Sequence, residues 1–140
     1  MKNILYLFVI IGCAFGANAQ TYAGISKNLP GHAFKAQVFA ACEETTNGGC
    51  MSYGYCELEF GNDSVKVIYS QKKYCSSPES QTVTEGDMGV PVQKYGWYAK
   101  GNVIYVKGFD RYGTFEYGGD RLTGTKEVNN KQEGLEFLLE

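Results

Sequence analysis

The chain of 140 residues has one histidine, one tryptophan and no surplus of basic charge. Its 13 Lys and Arg stand against 15 Asp and Glu, a formal net charge of −2. Nucleic-acid binders neutralise phosphates with clustered cations, so this balance argues against that class of partner. It argues equally against a polybasic membrane-surface module. No G-x-S-x-G elbow, Walker-type loop or H-E-x-x-H pair occurs. His32 lies beside Pro30 and Gly31 with no acid or nucleophile suggested nearby, so it reads as a surface residue and not as a general base. No stretch repeats apolar residues at i, i+3, i+4 and i+7 over three turns, which removes long amphipathic helices. Beyond residue 19 no apolar run has the length of a membrane-spanning helix. Nothing in these absences leaves room for a catalytic constellation, a metal or a cofactor, and the expectation is a non-enzymatic protein.

The first residues have a different character from the rest. Lys2 precedes an apolar run, Ile4 to Ile11, and small residues follow as far as Ala17-Asn18-Ala19. This is the layout of a secretory signal peptide cleaved before Gln20. Residues 1–19 are therefore read as a signal and residues 20–140 as a single exported domain, periplasmic or secreted. An alternative comes from Ile10-Ile11-Gly12-Cys13, which resembles a lipobox and would leave the protein lipid-anchored through Cys13.

Four cysteines remain after the signal: Cys42, Cys50, Cys56 and Cys75. Their spacing, C-x7-C-x5-C-x18-C, contains no C-x2-C knuckle, and His32 is the only histidine, so zinc is disfavoured. An even number in a small exported domain reads as two disulfides. A hairpin turning near Asn47 would set Cys42 opposite Cys50, and one turning near Asn62 would set Cys50 opposite Cys75. The pairing Cys42–Cys50 with Cys56–Cys75 is the slightly preferred expectation.

What the chain has in quantity is glycine, tyrosine and two-residue alternation. Cys56, Leu58 and Phe60 alternate with Glu57 and Glu59, and after the Gly61-Asn62-Asp63 turn, Val65, Val67 and Tyr69 alternate with Lys66, Ile68 and Ser70. This is a β-hairpin pattern, with Glu57 or Glu59 able to face Lys66 across the strands. A weaker strand is expected over Ala33 to Ala41, after a leading segment and turn. Residues 43–49 and 75–91 read as loops, the second the longest. Further strands follow at Val92 to Lys100, Val103 to Lys107, Thr114 to Tyr117, Arg121 to Val128 and Leu135 to Leu139, with turns about every ten residues. Serial antiparallel hairpins form a meander, and a meander of about eight strands removes its edges by closing into an up-and-down barrel. The fold class is thus all-β, with a β-sandwich as the alternative.

The stretch from Tyr55 to Phe137 resembles the small secreted lipocalin-like barrels common in Bacteroidota. The likeness is carried by Tyr55-Cys56-Glu57-Leu58-Glu59-Phe60, Asp63-Ser64-Val65, Tyr95-Gly96-Trp97-Tyr98, Asn102-Val103-Ile104-Tyr105-Val106 and Leu122-Thr123-Gly124. The Gly-x-Trp signature of the first lipocalin strand is absent: Gly31-His32 stand there. The resemblance implies a calycin-type barrel that holds a small apolar ligand.

Tyr69, Tyr95, Trp97 and Tyr105 are the candidate lining of such a cavity, with tyrosine hydroxyls as polar contacts. Tyr98, Tyr112 and Tyr117 are candidates for exposed contact with protein or glycan. Glu57 and Glu59 share a strand face, but it is the wet face, which disfavours a paired-carboxylate acid–base role. Asp63-Ser64-Val65 resembles an O-glycosylation site, and Asn62-Asp63-Ser64 is an N-x-S sequon, though turn chemistry alone explains both. The expected function is an exported binding domain for a small hydrophobic molecule. The alternative is a protein-contact module such as a lysozyme-type hydrolase inhibitor, using acidic Glu79, Glu85 and Asp87.

Overall fold

A computed structural model describes residues 24–25, 27–46, 48–77, 81–109, 111–112 and 114–140. The expected signal peptide, Cys13 and Glu79 lie outside these. Nine strands follow in order: β1 (Ala33–Thr45), β2 (Gly48–Phe60), β3 (Ser64–Ser76), β4 (Gln81–Asp87), β5 (Gln93–Lys100), β6 (Val103–Val106), β7 (Thr114–Tyr117), β8 (Arg121–Val128) and β9 (Lys131–Leu139). All pair antiparallel, and eight of them close into a barrel with β4 outside it. Closure runs β1-β2-β3-β5-β6-β7-β8-β9 and back to β1, which overturns the sandwich alternative.

The barrel is only part of the molecule. β1, β2 and β3 each run for 13 residues, far longer than β6 or β7 with 4. Their surplus length continues the same sheet beyond the other barrel strands, with β4 added against the distal half of β3 through Ser70↔Asp87 to Ser76↔Gln81. We call this four-stranded extension, in the order β1-β2-β3-β4, the arm. β3 serves both parts: its first residues pair with β5 (Ser64↔Gly96 to Val67↔Gln93) and its last with β4. The supposed loop at 75–91 therefore contains a strand. β4 is exposed at every position, so it carries no inward apolar face from which alternation could be read. The supposed loop at 43–49 is likewise mostly strand, because Thr45 already pairs with Gly48.

Two-residue alternation builds the core as expected. Phe34 and Ala36, then Cys56, Leu58 and Phe60, then Val65, Val67 and Tyr69, point inward from the first three strands. Trp97, Ile104, Val106, Phe115, Leu122 and Phe137 complete the wall. The ends are closed by segments that lack strand pattern. A helical turn near Gly24–Asn28, with Leu29 N–H donating to the Ile25 carbonyl (3.0 Å), buries Ile25 and Leu29. The β6–β7 connection folds Phe109 and Tyr112 into the interior. The rings of Phe109, Tyr112, Phe115 and Phe137 touch one another with centroids 5.6–6.2 Å apart, and Phe60 meets Trp97 edge-on at 5.4 Å. Fully buried side chains of this size stabilise by about 1.5–3 kcal/mol each, which makes the aromatic cluster the main support of the barrel.

Two glycines are required where an aromatic ring crosses the neighbouring strand. Phe39 lies directly over its cross-strand partner Gly54, where an added Cβ would sit 1.9 Å from the ring. Phe115 covers Gly124 in the same way, at 3.0 Å. The β8–β9 turn is made by Asn129 (φ 52°) and Asn130 (φ 60°). Both are left-handed, as a two-residue hairpin turn demands, and asparagine tolerates that conformation better than most residues.

The disulfide pairing differs from expectation. Cys50 lies opposite Cys75 across β2 and β3 and is bonded to it, with Cα atoms 4.1 Å apart. Cys42 is a free, exposed thiol and Cys56 a free, buried one. The reason is a register offset of one residue. The first hairpin turns tightly enough to pair Thr45 with Gly48, which sets Cys42 against Met51 and Glu43 against Cys50. Cys56 faces Tyr69 inside the barrel and has no cysteine within its row.

Candidate functional site

The outer face of the arm is built by cross-strand pairs. Met51↔Tyr74, Tyr53↔Lys72 and Tyr55↔Ser70 set six side chains of β2 and β3 on one surface, since directly opposed residues share a face. β4 adds Val83 beside Tyr74 and Glu85 beside Lys72, and β1 adds Cys42, Ala40 and Gln37 beside Met51, Tyr53 and Tyr55. No second layer covers this surface among the described residues. Met51, Tyr74 and Val83 are 36%, 40% and 54% exposed, large values for apolar side chains on neighbouring strands.

These side chains form a trough of two adjoining grooves, about 680 and 630 Å³ in volume, which share Tyr55 and Tyr74. Tyr53 and Tyr74 meet edge to face with centroids 5.8 Å apart, which fixes the orientation of both rings. Lys35 Nζ lies 5.6 Å from the Tyr55 ring centre and Lys72 Nζ 6.0 Å from that of Tyr74. Each ammonium is also bridged to carboxylates. Lys35 donates to Glu140 at 2.9 Å and lies 3.6 Å from Glu57, and Lys72 pairs with Glu85. The hydrogen bond to Glu140 holds the Lys35 ammonium above the usual lysine range. The Lys72–Glu85 hydrogen bond raises the lysine and lowers the carboxyl. The trough is thus aromatic and thioether in its floor, and charged but locally neutralised at its rim. At its distal end the Cys50–Cys75 bond ties β2 to β3.

Inside the barrel Cys56, Tyr69 and Tyr112 form a second cluster, which the exposed Arg111 joins from outside. The Arg111 guanidinium lies 5.5 Å over the Tyr69 ring. Burial pushes the Cys56 thiol up to about 11, and burial is also the leading cause that raises Tyr69 and Tyr112. A thiol with that value is protonated at neutral pH and is a poor nucleophile.

The four expected cavity residues are not gathered around one space. Tyr69 and Trp97 are buried among packed side chains at separate places on the barrel. Tyr69 lies beside Cys56, and Trp97 lies beside the Gly61–Ser64 turn, where its indole N–H donates to the Gly61 carbonyl at 3.0 Å. Tyr95 is half-buried against Phe109, its hydroxyl 2.7 Å from the Gln93 side chain. Tyr105 is a correction: it lies on the outer wall, stacked on Tyr98 at 4.9 Å, because its neighbours Ile104 and Val106 take the inward positions. Tyr112, expected at the surface, is buried, and Tyr117 is half-buried against Phe34, whereas Tyr98 is exposed. Glu59 pairs with Lys66 at 3.0 Å and Glu57 with Lys35, both on the outer face. Glu85 and Asp87 lie on exposed β4. His32 is exposed, and Asn62 and Asp63 sit in an exposed turn. The tyrosines that do assemble are Tyr53, Tyr55 and Tyr74, which no motif in the sequence marks as a group. The only signal was that alternation already running through Leu58 and Val67 continues, with reversed polarity, into the residues beyond.

Among the described residues no group of three or more His, Cys, Asp or Glu side chains is placed to hold a metal, and no helix is long and apolar enough to cross a membrane. The fold and site thus define an eight-stranded antiparallel barrel bearing an aromatic trough on a projecting sheet. Comparison with protein families, curated proteins and solved structures finds no match for the chain.

Proposed function

We propose that the protein is an exported, non-enzymatic binding module that contacts another extracytoplasmic protein through the outer face of its arm, the barrel serving as scaffold. The observation that carries this reading is the way aromatic side chains are divided. Rings fill the barrel interior, while Tyr53, Tyr55 and Tyr74 stand with Met51 and Val83 on a solvent-facing sheet surface. Tyr and Met are enriched in protein contact surfaces because they offer large, adaptable area. The neutralised Lys35 and Lys72 supply the polar rim such surfaces have. Export is supported by the Lys2 to Ala19 pattern and by the Cys50–Cys75 bond, which persists in oxidising compartments. Exposed Asp87, in no ion pair among the described residues, suits a basic partner such as a hydrolase of the lysozyme type. A small apolar ligand within the barrel is the weaker alternative, since it would have to displace Phe109 and Tyr112 from the interior.

Trp97, the only tryptophan, reports on the barrel and not on the arm. Apolar fluorescent probes are expected to leave its emission unchanged. A pull-down against basic extracytoplasmic hydrolases is expected to retain a partner that the Tyr53→Ala/Tyr74→Ala variant loses with Trp97 emission intact. A probe that binds stoichiometrically and shifts Trp97 would move the site into the barrel. Equal retention by both proteins, or none by either, would refute the arm.

A further inference from the structure

β1 pairs with β2 in two registers. One runs from Ala33↔Glu59 to Gln37↔Tyr55, and the other from Phe39↔Gly54 to Thr45↔Gly48. Val38, between them, is the extra residue of a β-bulge that offsets the second register from the first by one position. Continued without the bulge, the first register would set Val38 opposite Gly54, Phe39 opposite Tyr53 and Cys42 opposite Cys50. A single residue thus keeps the free, exposed Cys42 from facing one sulfur of the Cys50–Cys75 bond. It also keeps them on different faces, since directly opposed residues share a face. Cys42 goes with Met51 on the outer face, whereas Cys50 goes with Cys75 and Glu43 on the other. All three cysteines nonetheless border the larger groove.

The sequence suits both registers. Phe34, Ala36, Val38, Ala40 and Cys42 form an uninterrupted apolar alternation, and Val38 already packs against the barrel core. Beyond Val38 the strand meets Gly54, Gly49 and Gly48 of β2, and register is weakly specified where side chains are small or absent. A slip would turn Ala40 and Cys42 inward in exchange for Phe39 and Ala41. At the turn, Thr45 now pairs with Gly48 around two residues; after the slip Glu44 would pair with Gly48 around three, and both are common hairpin lengths. The slip gives up the Phe39 ring over Gly54 and the Glu43–Lys73 bridge, which is solvent-exposed and so contributes little. We propose that Cys42 exchanges with the Cys50–Cys75 disulfide through a one-residue slip of β1, the Val38 bulge being absorbed into the hairpin loop. The Cys42 thiolate attacks Cys50 Sγ, the Cys42–Cys50 bond forms and the Cys50–Cys75 bond breaks. Cys75 leaves as a thiolate and regains from solvent the proton that Cys42 released, so no oxidant or reductant is consumed. The product has β1 bonded to β2, β3 released, and Phe39 beside Tyr53 on the outer face. The inference goes beyond the function proposed above and does not depend on what the trough binds.

The test maps disulfides in the folded, oxidised protein. It is held at mildly alkaline pH without added thiol or oxidant, alkylated in the native state, and digested for peptide mass spectrometry. Two species are expected: Cys50–Cys75 with alkylated Cys42, and Cys42–Cys50 with alkylated Cys75. Gly54→Ala sets a Cβ 1.9 Å from the Phe39 ring in the present register, whereas after the slip Val38 opposes that position. It is expected to raise the share of Cys42–Cys50 about ten-fold. Deletion of Val38 removes the extra residue and is expected to make Cys42–Cys50 the main bond. Unchanged Trp97 emission in both variants checks that the barrel is intact. A parent protein in which Cys42 stays wholly free would overturn the proposal. So would a Cys42–Cys50 share that neither variant moves, or bonds to Cys56, which would mean that exchange runs through unfolding.

Discussion

Raising the pH above 9 should loosen this protein through one buried thiol. Cys56 has no exposed surface, and burial moves it from 9.0 to about 11 against a smaller opposing effect of its hydrogen bond with Tyr69. The unfolded chain releases this proton near pH 9, whereas the folded chain keeps it until about 11. In that window the unfolded state binds fewer protons, so stability must fall as pH rises. The contribution is fully present below pH 9 and is lost above 11; two pH units correspond to about 2–3 kcal/mol. Tyr69, Tyr112 and Lys35 are also raised and add their own alkaline losses, so the informative quantity is a difference between proteins. Urea unfolding of the Cys56→Ala variant and of its parent, both carrying Cys42→Ser, would be followed by circular dichroism from pH 8 to 11. The parent is expected to lose about 2 kcal/mol more than the variant over that range. Parallel pH dependences in the two proteins would show that the buried thiol is not what the fold holds protonated.

Other perturbations test other parts of the fold. Gly124→Ala brings a methyl group to 3.0 Å from the Phe115 ring and 3.2 Å from Tyr112, so thermal melting should show a loss of about 1–3 kcal/mol; an unchanged melting point would mean that the ring cluster repacks freely. Asn130→Gly relieves a left-handed residue in the β8–β9 turn and should stabilise by a few tenths to about 1 kcal/mol in urea unfolding, with Asn130→Val opposite in sign. The Cys50→Ser/Cys75→Ser variant frees a loop whose ends are 25 residues apart in sequence, which weakens the protein by up to about 3 kcal/mol. Amide exchange should then quicken first in residues 48–55 and 70–76; a uniform change across the barrel would refute the separation of arm from barrel.

The barrel was legible in the sequence where one face is buried and the other wet. Leu58 and Phe60 against Glu57 and Glu59 announce both strand and facing, and Glu59 does meet Lys66. Val103-Ile104-Tyr105-Val106 announces a strand but not its facing, because both faces are apolar; Ile104 and Val106 point inward and Tyr105 outward. β4 is wet on both faces and left no alternation at all. Ile25 and Leu29 are a single i, i+4 pair, too little for a helical signal, yet they plug one end of the barrel. The disulfide turned on a single residue of hairpin register, which composition does not determine. The trough was hidden for a related reason: its tyrosines occupy positions that are outward by continuation of the barrel's alternation, and they form a site only once β3 leaves β5 and takes β4 as its neighbour.

The meeting of β1 with β9 has a consequence for how the molecule forms. The barrel is completed by Phe34 and Lys35 against Leu139 and Leu138, and the Lys35–Glu140 bridge there spans 105 positions. Such a closure carries a large loop entropy and little local reward until most of the chain is present. A polypeptide emerging in order can form its β1–β2–β3 hairpins early, but it cannot seal its wall until the last strand has been delivered. Maturation of the closed form therefore waits on the delivery of β9.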